Sequence, residues 1–187
     1  MNIGKTLYVI NRKQWASWLI KNHDKEKEIW LIYYRKTSNK LRIPYNDAVE
    51  EALCYGWIDG IFKGINEEKF AQRFTPRKPV STLSEMNKER IRRLIKKNKM
   101  NSIGLKAVSH VFNKNKIEKF VIAQEILKAL KSNNQAWANF QKFSEGYKRV
   151  RIGYIENQRI HGDKMFNKSL QNFIINTAKN KKFGMVK

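Results

Sequence analysis

The sequence has few of the residues that most often carry metal, redox or disulfide chemistry. It contains one cysteine, Cys54, and three histidines, His23, His110 and His161. A single cysteine cannot form an internal disulfide, and its place near the end of an apolar helix pattern indicates a small buried side chain. None of the histidines lies with cysteine or acidic residues at metal-ligand spacing, so we expect neither a metal nor another cofactor.

The common motifs of nucleotide binding and nucleophilic catalysis are also missing. The chain contains no Walker loop, no dinucleotide-binding glycine pattern and no nucleophile elbow. Gly56 and Gly60, in the run GWIDG, instead fit a helix stop and a strand bend. We therefore expect a protein that is not an enzyme, with an enzyme that uses Asp59 as general acid or base as an alternative.

No long apolar run occurs in the chain. The N-terminus lacks a signal-like apolar core with a cleavage pattern, and no segment reaches the roughly 18 to 20 apolar residues of a membrane span. These absences predict a cytoplasmic protein without a membrane span. The 187 residues, of which 41% are hydrophobic, suffice for one domain or two small ones with a packed core.

Acidic residues are scarce, with 16 Asp and Glu against 39 Lys and Arg and a formal net charge of +23. Such a charge is typical of proteins that bind nucleic acid, because Lys and Arg neutralise phosphates. It is also typical of a merely solvated surface, since lysine, asparagine and isoleucine are all abundant here. The nucleic-acid candidates lie on the polar side of one predicted helix: Arg90, Arg92, Arg93, Lys96 and Lys97.

The N-terminal half of the chain alternates strand and helix patterns. Leu7 to Ile10 is β-prone, and Asn11 can cap a helix that carries Trp15 and Trp18 on one side. The unbroken apolar run from Ile29 to Tyr34 predicts a central strand that is buried on both faces. Leu41 to Ile43 predicts a further brief strand, and Asn46 can cap a helix that stops at Gly56.

Two segments with period-two alternation follow, Trp57 to Lys63 and Lys69 to Thr75, and they predict an antiparallel hairpin. If Lys63 at the end of the first strand faces Lys69 at the start of the second, Asp59 faces Arg73 across the strands. Asp59 then forms a structural ion pair with Arg73 or caps a turn before Gly60.

The other interpretation is that this face of the hairpin lines a pocket. It would bind a small polar or anionic ligand, or a protein partner, because arginine suits carboxylate or phosphate recognition and aromatic rings can stack on a ligand. The ligand-binding candidates are Tyr55, Trp57, Asp59, Arg73 and Arg77.

The rest of the chain predicts helices. Ser84 or Asn87 can cap the helix that carries the basic candidates, and Asn101 or Ser102 can cap the next. Four more helices follow a polar linker at Asn113 to Lys116: Ile117 to Leu130, Ala136 to Phe143, Tyr147 to Ile155 and Phe166 to Thr177. The predicted fold is therefore α+β, with a small mixed or antiparallel sheet of four to five strands and flanking helices in residues 1–112, and a helical domain in residues 113–187.

Several runs resemble those of a known bacterial family. ALCYGWIDG, QRFTPRKPVS and NKERIRRLIKKNKM, followed more weakly by LKALKSNNQAWANF and GYKRVRIGYIEN, are similar to the YdeI/OmpD-associated, or bacteriocin-protection, family. The resemblance implies a small α+β domain followed by a helical domain, and a role in resistance to bacteriocins or envelope stress. It implies no agreed reaction and no catalytic residues. The chain departs from the family pattern at Leu83, where a tryptophan is common. It departs again at residues 157–163, where similar proteins usually have an Ala-Lys pair and then an acidic and arginine-rich stretch.

Overall fold

The computed structural model describes residues 2–112 and 119–184. The chain forms two compact units, which we call the sheet unit (residues 1–82 and 90–114) and the helical unit (residues 83–89 and 115–187). The polar linker predicted at Asn113 to Lys116 lies outside the described residues. A domain boundary between residues 112 and 113 stays a prediction.

The sheet unit contains a four-stranded mixed sheet in the order β1-β2-β4-β3. The strands are β1 (Thr6–Tyr8), β2 (Ile29–Tyr34), β3 (Trp57–Gly64) and β4 (Lys69–Pro76). β1 runs parallel to β2, and the other pairs are antiparallel. The predicted α+β class, the central strand and the hairpin are therefore confirmed.

Leu41 to Ile43, the brief strand of the prediction, is not a strand. The backbone N–H of Ile43 donates one hydrogen bond to the carbonyl of Val9, at 3.2 Å, and no ladder follows. Pro44 comes next in the sequence and lacks an N–H donor, which prevents the ladder from continuing there.

Helices α1 (Arg12–Asn22) and α2 (Tyr45–Cys54) precede β2 and β3 respectively. Asn11 caps α1 as predicted, because its side chain accepts from the N–H of Gln14 at 3.0 Å. Trp15 is fully buried and packs edge-on against Phe74 of β4, with 5.5 Å between ring centroids. This contact fixes α1 on the face of the sheet that carries Phe74.

The end of α2 follows the prediction, whereas its start does not. Gly56 has a φ of +71°, the left-handed conformation that glycine adopts readily after a last helical turn. Pro44, and not Asn46, stands at the N-cap, and no side chain caps the helix. The Asn46 side chain accepts from Arg90 instead.

Two more helices follow the hairpin, α3 (Glu85–Lys96) and α4 (Ser102–Val108). Ser84 caps α3 by accepting from the N–H of Asn87 at 3.3 Å, and Asn101 caps α4. α4 lies close against the end of α2, since a Cβ on Gly104 would lie 2.3 Å from the Cys54 carbonyl oxygen. Only glycine fits that position without a backbone shift.

The helical unit contains α5 (Gln124–Lys131), α6 (Asn134–Lys142), α7 (Glu145–Asn157) and α8 (Asp163–Ala178). Phe140, Tyr147, Phe166 and Phe173 are among the buried residues of its core. The last three predicted helices are confirmed. The helix predicted from Ile117 begins only at Gln124, and the part of that prediction on residues 117 and 118 lies outside the described residues.

Candidate functional site

The hairpin pairs in a different register from the predicted one. Asp59 lies opposite Phe74 and Phe62 opposite Gln72, with a bulge between Asp59 and Phe62. Side chains on one strand alternate between faces, so Asp59 shares a face with Phe74 and Gln72, and Arg73 points to the other face. The predicted pair of Asp59 with Arg73 is therefore wrong. The difference in register is caused by the bulge, in which two residues of β3 oppose one residue of β4.

Arg73 has an acidic partner on its own face of the sheet. Its Nε donates to Oε2 of Glu28 at 2.7 Å, and Oε1 of Glu28 accepts from the Trp30 indole at 3.0 Å. The hydrogen bond from Trp30 and then that from Arg73 lower the pKa of the Glu28 carboxyl. Every partner in this group is a protein side chain, so the group is complete in itself.

Asp59 takes part in a different network on the opposite face. The Tyr45 hydroxyl donates to Oδ2 of Asp59 at 2.7 Å, and Nε2 of Gln72 donates to the same oxygen at 3.2 Å. Burial, followed by the hydrogen bond to Asp59, raises the pKa of Tyr45 to about 12. The phenol therefore stays a donor to the carboxylate at neutral pH.

Two buried polar atoms beside this network lack a partner among the described residues. They are the hydroxyl of Tyr33, a residue that is 2% exposed, and Oε1 of Gln72, a residue that is 0% exposed. Burial raises the pKa of Tyr33, and the proximity of Tyr45 and Asp59 raises it further. A phenol offers an O–H donor and an amide oxygen offers an acceptor, so the two atoms suit a molecule that carries both functions.

Arg90 adds a positive charge to the same place. It is 3% exposed, donates to Oδ1 of Asn46 at 2.7 Å, and lies with its guanidinium carbon 5.9 Å from the Tyr45 ring centroid. Burial lowers its pKa, and the nearby Tyr45 and Asp59 oppose that change. Arg90 is therefore buried, although the sequence pattern assigned it to the polar side of its helix with the other nucleic-acid candidates. We call this group the Asp59 cluster; its members are Tyr33, Tyr45, Asp59, Gln72 and Arg90.

The other nucleic-acid candidates on α3 differ from Arg90 in their exposure and contacts. Lys96 and Lys97 are exposed, whereas Arg92 is half-buried against an aromatic ring. Arg93 lies 3.5 Å from a carboxylate oxygen of Glu50, so an acid offsets part of its charge. The five residues do not form one continuous exposed basic strip, and nucleic-acid binding stays a prediction.

The remaining ligand-binding candidates are engaged elsewhere in the sheet unit. Trp57 is buried, and its indole donates to the His23 carbonyl at 3.1 Å. Tyr55 is the C-cap of α2 and lies against the His23 ring. Arg77 donates to the Oγ of Ser81 at 2.8 Å, and burial lowers its pKa. Asp59 is therefore the one member of the predicted set that belongs to the Asp59 cluster.

Sequence reasoning missed Tyr33, Tyr45 and Gln72. One clue was available, because Gln72 is a polar residue in a hairpin strand whose neighbours at positions 70 and 74 are both phenylalanine. The alternation of side chains puts all three on one face. A glutamine flanked in this way is a buried polar residue that requires hydrogen-bond partners.

The sulfur and metal chemistry of the described residues is limited. Cys54 is buried as predicted, and burial raises the pKa of its thiol to about 12. Within residues 2–112 and 119–184, no group of three or more His, Cys, Asp and Glu side chains could hold a metal ion. Over the same residues, no helix combines the length and the apolar character required to cross a membrane.

A small mixed sheet with helices, joined in sequence to an all-helical part, defines a two-part α+β protein. Residues 7–107 match the family described as a domain of unknown function, DUF8412, and residues 119–180 match the family described as bacteriocin-protection, YdeI or OmpD-associated. The first match spans more than half of the 187 residues, so the chain belongs to that family. The second confirms the resemblance drawn from the sequence and lies in the helical part. No curated protein and no solved structure matches the chain.

Proposed function

We propose that the chain is a cytoplasmic, non-enzymatic binding protein that acts in stress or bacteriocin protection, and that its sheet unit binds a small polar molecule at the Asp59 cluster. The observation that supports this most strongly is the pair of buried, unpartnered atoms, the Tyr33 hydroxyl and Oε1 of Gln72. A buried polar atom without a partner costs about 1–3 kcal/mol. Such a cost is understandable where a ligand supplies the missing hydrogen bonds.

The charges of the cluster favour a neutral or zwitterionic ligand over a simple anion. The opposite charges of Asp59 and Arg90 offset each other, so the cluster has no net positive charge that would attract a simple anion. A hydroxyl or primary amide can accept from Tyr33 and donate to Gln72 with the same group. We therefore expect small amides and alcohols to bind better than acetate.

A panel of small probes tests this proposal by ligand-observed NMR on the full chain. Acetamide and glycerol are expected to bind the wild-type protein, and acetate is expected to bind more weakly. Tyr33→Phe removes one of the two partners and is expected to weaken acetamide binding. Tyr34→Phe is the matched control, because Tyr34 is the next residue of β2 and faces the other side of the sheet. Equal binding of acetamide to both variants would contradict a ligand site at Tyr33.

A cellular experiment tests the protective role separately. The family that matches residues 119–180 is described as bacteriocin-protection, and this description supports a protective role. Cells that lack the protein are expected to survive a bacteriocin challenge less well than cells that carry it. Tyr33→Phe is expected to reproduce that loss at unchanged protein level, and Tyr34→Phe is expected not to. Full protection by Tyr33→Phe would separate protection from the Asp59 cluster.

The enzymatic alternative rests on Asp59 alone. Its Oδ2 accepts both observed hydrogen bonds, from Tyr45 and Gln72, so protein donors already engage one of its two oxygens. We therefore place Asp59 in ligand binding and not in catalysis. An NMR titration of its carboxyl tests this choice, since a general base near neutrality would require a strongly raised value.

A further inference from the structure

The helical unit contains a buried arginine that forms no ion pair with the described residues. Arg151 of α7 is 8% exposed, and its Nε is buried without a hydrogen-bond acceptor among the described residues. No carboxylate of those residues forms an ion pair with it. Buried charges are costly unless they are paired and hydrogen-bonded, so an isolated buried guanidinium calls for a physical explanation.

Aromatic rings account for only part of its environment. The guanidinium carbon lies 3.9 Å from the Phe183 ring centroid, 5.0 Å from that of Tyr154 and 5.9 Å from that of Phe173. These contacts place the positive charge near the aromatic rings. They supply no oxygen or nitrogen acceptor, so the N–H of Nε stays without a hydrogen-bond partner among the described residues.

Arg151 also lines a cavity of about 320 Å³ within the helical unit. This volume lies at the lower end of the range for small-molecule sites. The start of α3 supplies one wall and α7 supplies the other, and the lining includes Leu83, Ser84, Met86, Val150, Arg151 and Tyr154. The walls are therefore largely apolar, with one buried positive charge.

One acid also lines the cavity, but it has its own partner. Oε1 of Glu85 pairs with Nζ of Lys88 at 2.7 Å, one turn along α3. Burial lowers the pKa of Arg151, and only the nearby Tyr147 and Tyr154, not Glu85, oppose that change. The positive charge of Arg151 in this cavity is thus not offset by Glu85.

We infer that this cavity binds a small organic carboxylate with an apolar body. The carboxylate would accept from the edge of the Arg151 guanidinium, whose planar donors match two carboxylate oxygens. The apolar body would lie against Leu83, Met86 and Val150. Inorganic phosphate fits less well, because it is more highly charged and offers nothing to the apolar walls. The inference does not depend on the Asp59 cluster, which lies in the sheet unit.

Isothermal titration calorimetry on the full chain tests the inference with benzoate, benzamide and inorganic phosphate. Benzamide has the shape of benzoate without its charge, so we expect it to bind about tenfold more weakly, the factor for one charge-assisted hydrogen bond. Phosphate is also expected to bind more weakly than benzoate. No binding of benzoate, or equal binding of benzoate and benzamide, would overturn the inference.

Arg151→Gln is expected to weaken benzoate binding by about tenfold, and Arg151→Lys is expected to recover part of the loss, because it restores charge without the planar donors. Lys168→Gln is the charge control, since it removes one positive charge from an exposed position of α8 in the same unit. Unchanged benzoate affinity in Arg151→Gln, or an equal loss in Lys168→Gln, would overturn the inference.

A second measurement on the wild-type protein applies even if Arg151→Gln does not fold. Benzoate is expected to shift the NMR signals of the Met86 methyl group and of the Gly153 and Tyr154 amides, because these residues line the cavity. Benzamide at the same concentration is expected to shift them less. Benzoate-induced shifts confined to residues outside the cavity would contradict the proposed site.

Discussion

The polar groups on the two faces of the sheet differ in how completely they are hydrogen-bonded. On one face, Arg73, Glu28 and Trp30 satisfy one another through hydrogen bonds of 2.7 and 3.0 Å. On the other face, the Asp59 cluster leaves the Tyr33 hydroxyl and one oxygen of Gln72 without a partner among the described residues. A complete group of this kind stabilises a fold, whereas an incomplete buried one costs free energy. This difference is the reason why we propose a binding site on the Asp59 face.

The largest expected effect concerns Phe74, the phenylalanine of β4 that lies opposite Asp59. Phe74→Ala is expected to lower the free energy of unfolding by about 3–5 kcal/mol, because Phe74 is fully buried and its removal leaves a cavity. Thr75→Ala, one residue along β4 and on the other face, is expected to change it by no more than about 0.5 kcal/mol. Urea denaturation measures both. Similar losses at the two positions would contradict the central place of Phe74 in the core.

The next effect concerns the hydrogen bonds that the Asp59 face does make. Tyr45→Phe removes the phenol that donates to Asp59 and is expected to cost about 1.5 kcal/mol, since the acceptor is charged. Tyr8→Phe is a suitable comparison, because its hydroxyl donates to the uncharged carbonyl of Leu41 at an exposed position. We expect a smaller loss there. A loss at Tyr8 equal to that at Tyr45 would contradict the charged character of the Asp59 contact.

The next prediction concerns pH and the face of the sheet that carries Arg73 and Glu28. Because the Trp30 and Arg73 hydrogen bonds lower the pKa of folded Glu28, the unfolded chain binds the proton more tightly. The stability from Glu28 is therefore fully present above the ordinary glutamate pKa and is lost as the pH falls through the lowered value. Glu28→Gln is expected to flatten the dependence of the melting temperature on pH in that acid range. An unchanged slope of melting temperature against pH would show that Glu28 does not contribute to the loss of stability in acid.

The smallest expected effect concerns the basic residues of α3. We expect the combined replacement of Arg92, Arg93, Lys96 and Lys97 by glutamine to leave the salt dependence of DNA binding unchanged in a gel-shift series. The reason is that Arg92 is half-buried against Phe112 and Glu50 offsets part of the charge of Arg93. If all four contacted phosphates, the slope of log affinity against log salt would fall by roughly 0.9 per residue removed. A fall of that size would establish the nucleic-acid alternative.

Local patterns were sufficient to predict much of the fold. The apolar run of β2, the alternation of β3 and β4, the caps at Asn11 and Asn101 and the stop at Gly56 all follow from neighbouring residues in the sequence. Each of these features depends on a few adjacent side chains or on one backbone conformation. The apolar run and the alternation therefore predict strands whatever the order of the strands in the sheet.

The candidate site could not be predicted in the same way. Tyr33 and Gln72 share a face only because β2 lies beside β4, which is a long-range pairing. The bulge after Asp59 is not visible in the alternation of β3, and it moved Asp59 away from Arg73. Because one inserted residue reverses which face the preceding residues occupy, a local pattern cannot fix such a register.

The central claim is that the Asp59 cluster is a binding site, and the free energy of unfolding of Tyr33→Phe tests it most directly. Tyr34→Phe is the control, because Tyr34 lies on the other face of the sheet. If the buried Tyr33 hydroxyl has no partner in the ligand-free protein, its removal is expected to stabilise the fold by about 1 kcal/mol. Tyr34→Phe is expected to change stability by less than about 0.5 kcal/mol, because Tyr34 is only half-buried. A loss of about 1 kcal/mol in Tyr33→Phe would show that the hydroxyl is already satisfied and would contradict the proposed binding site.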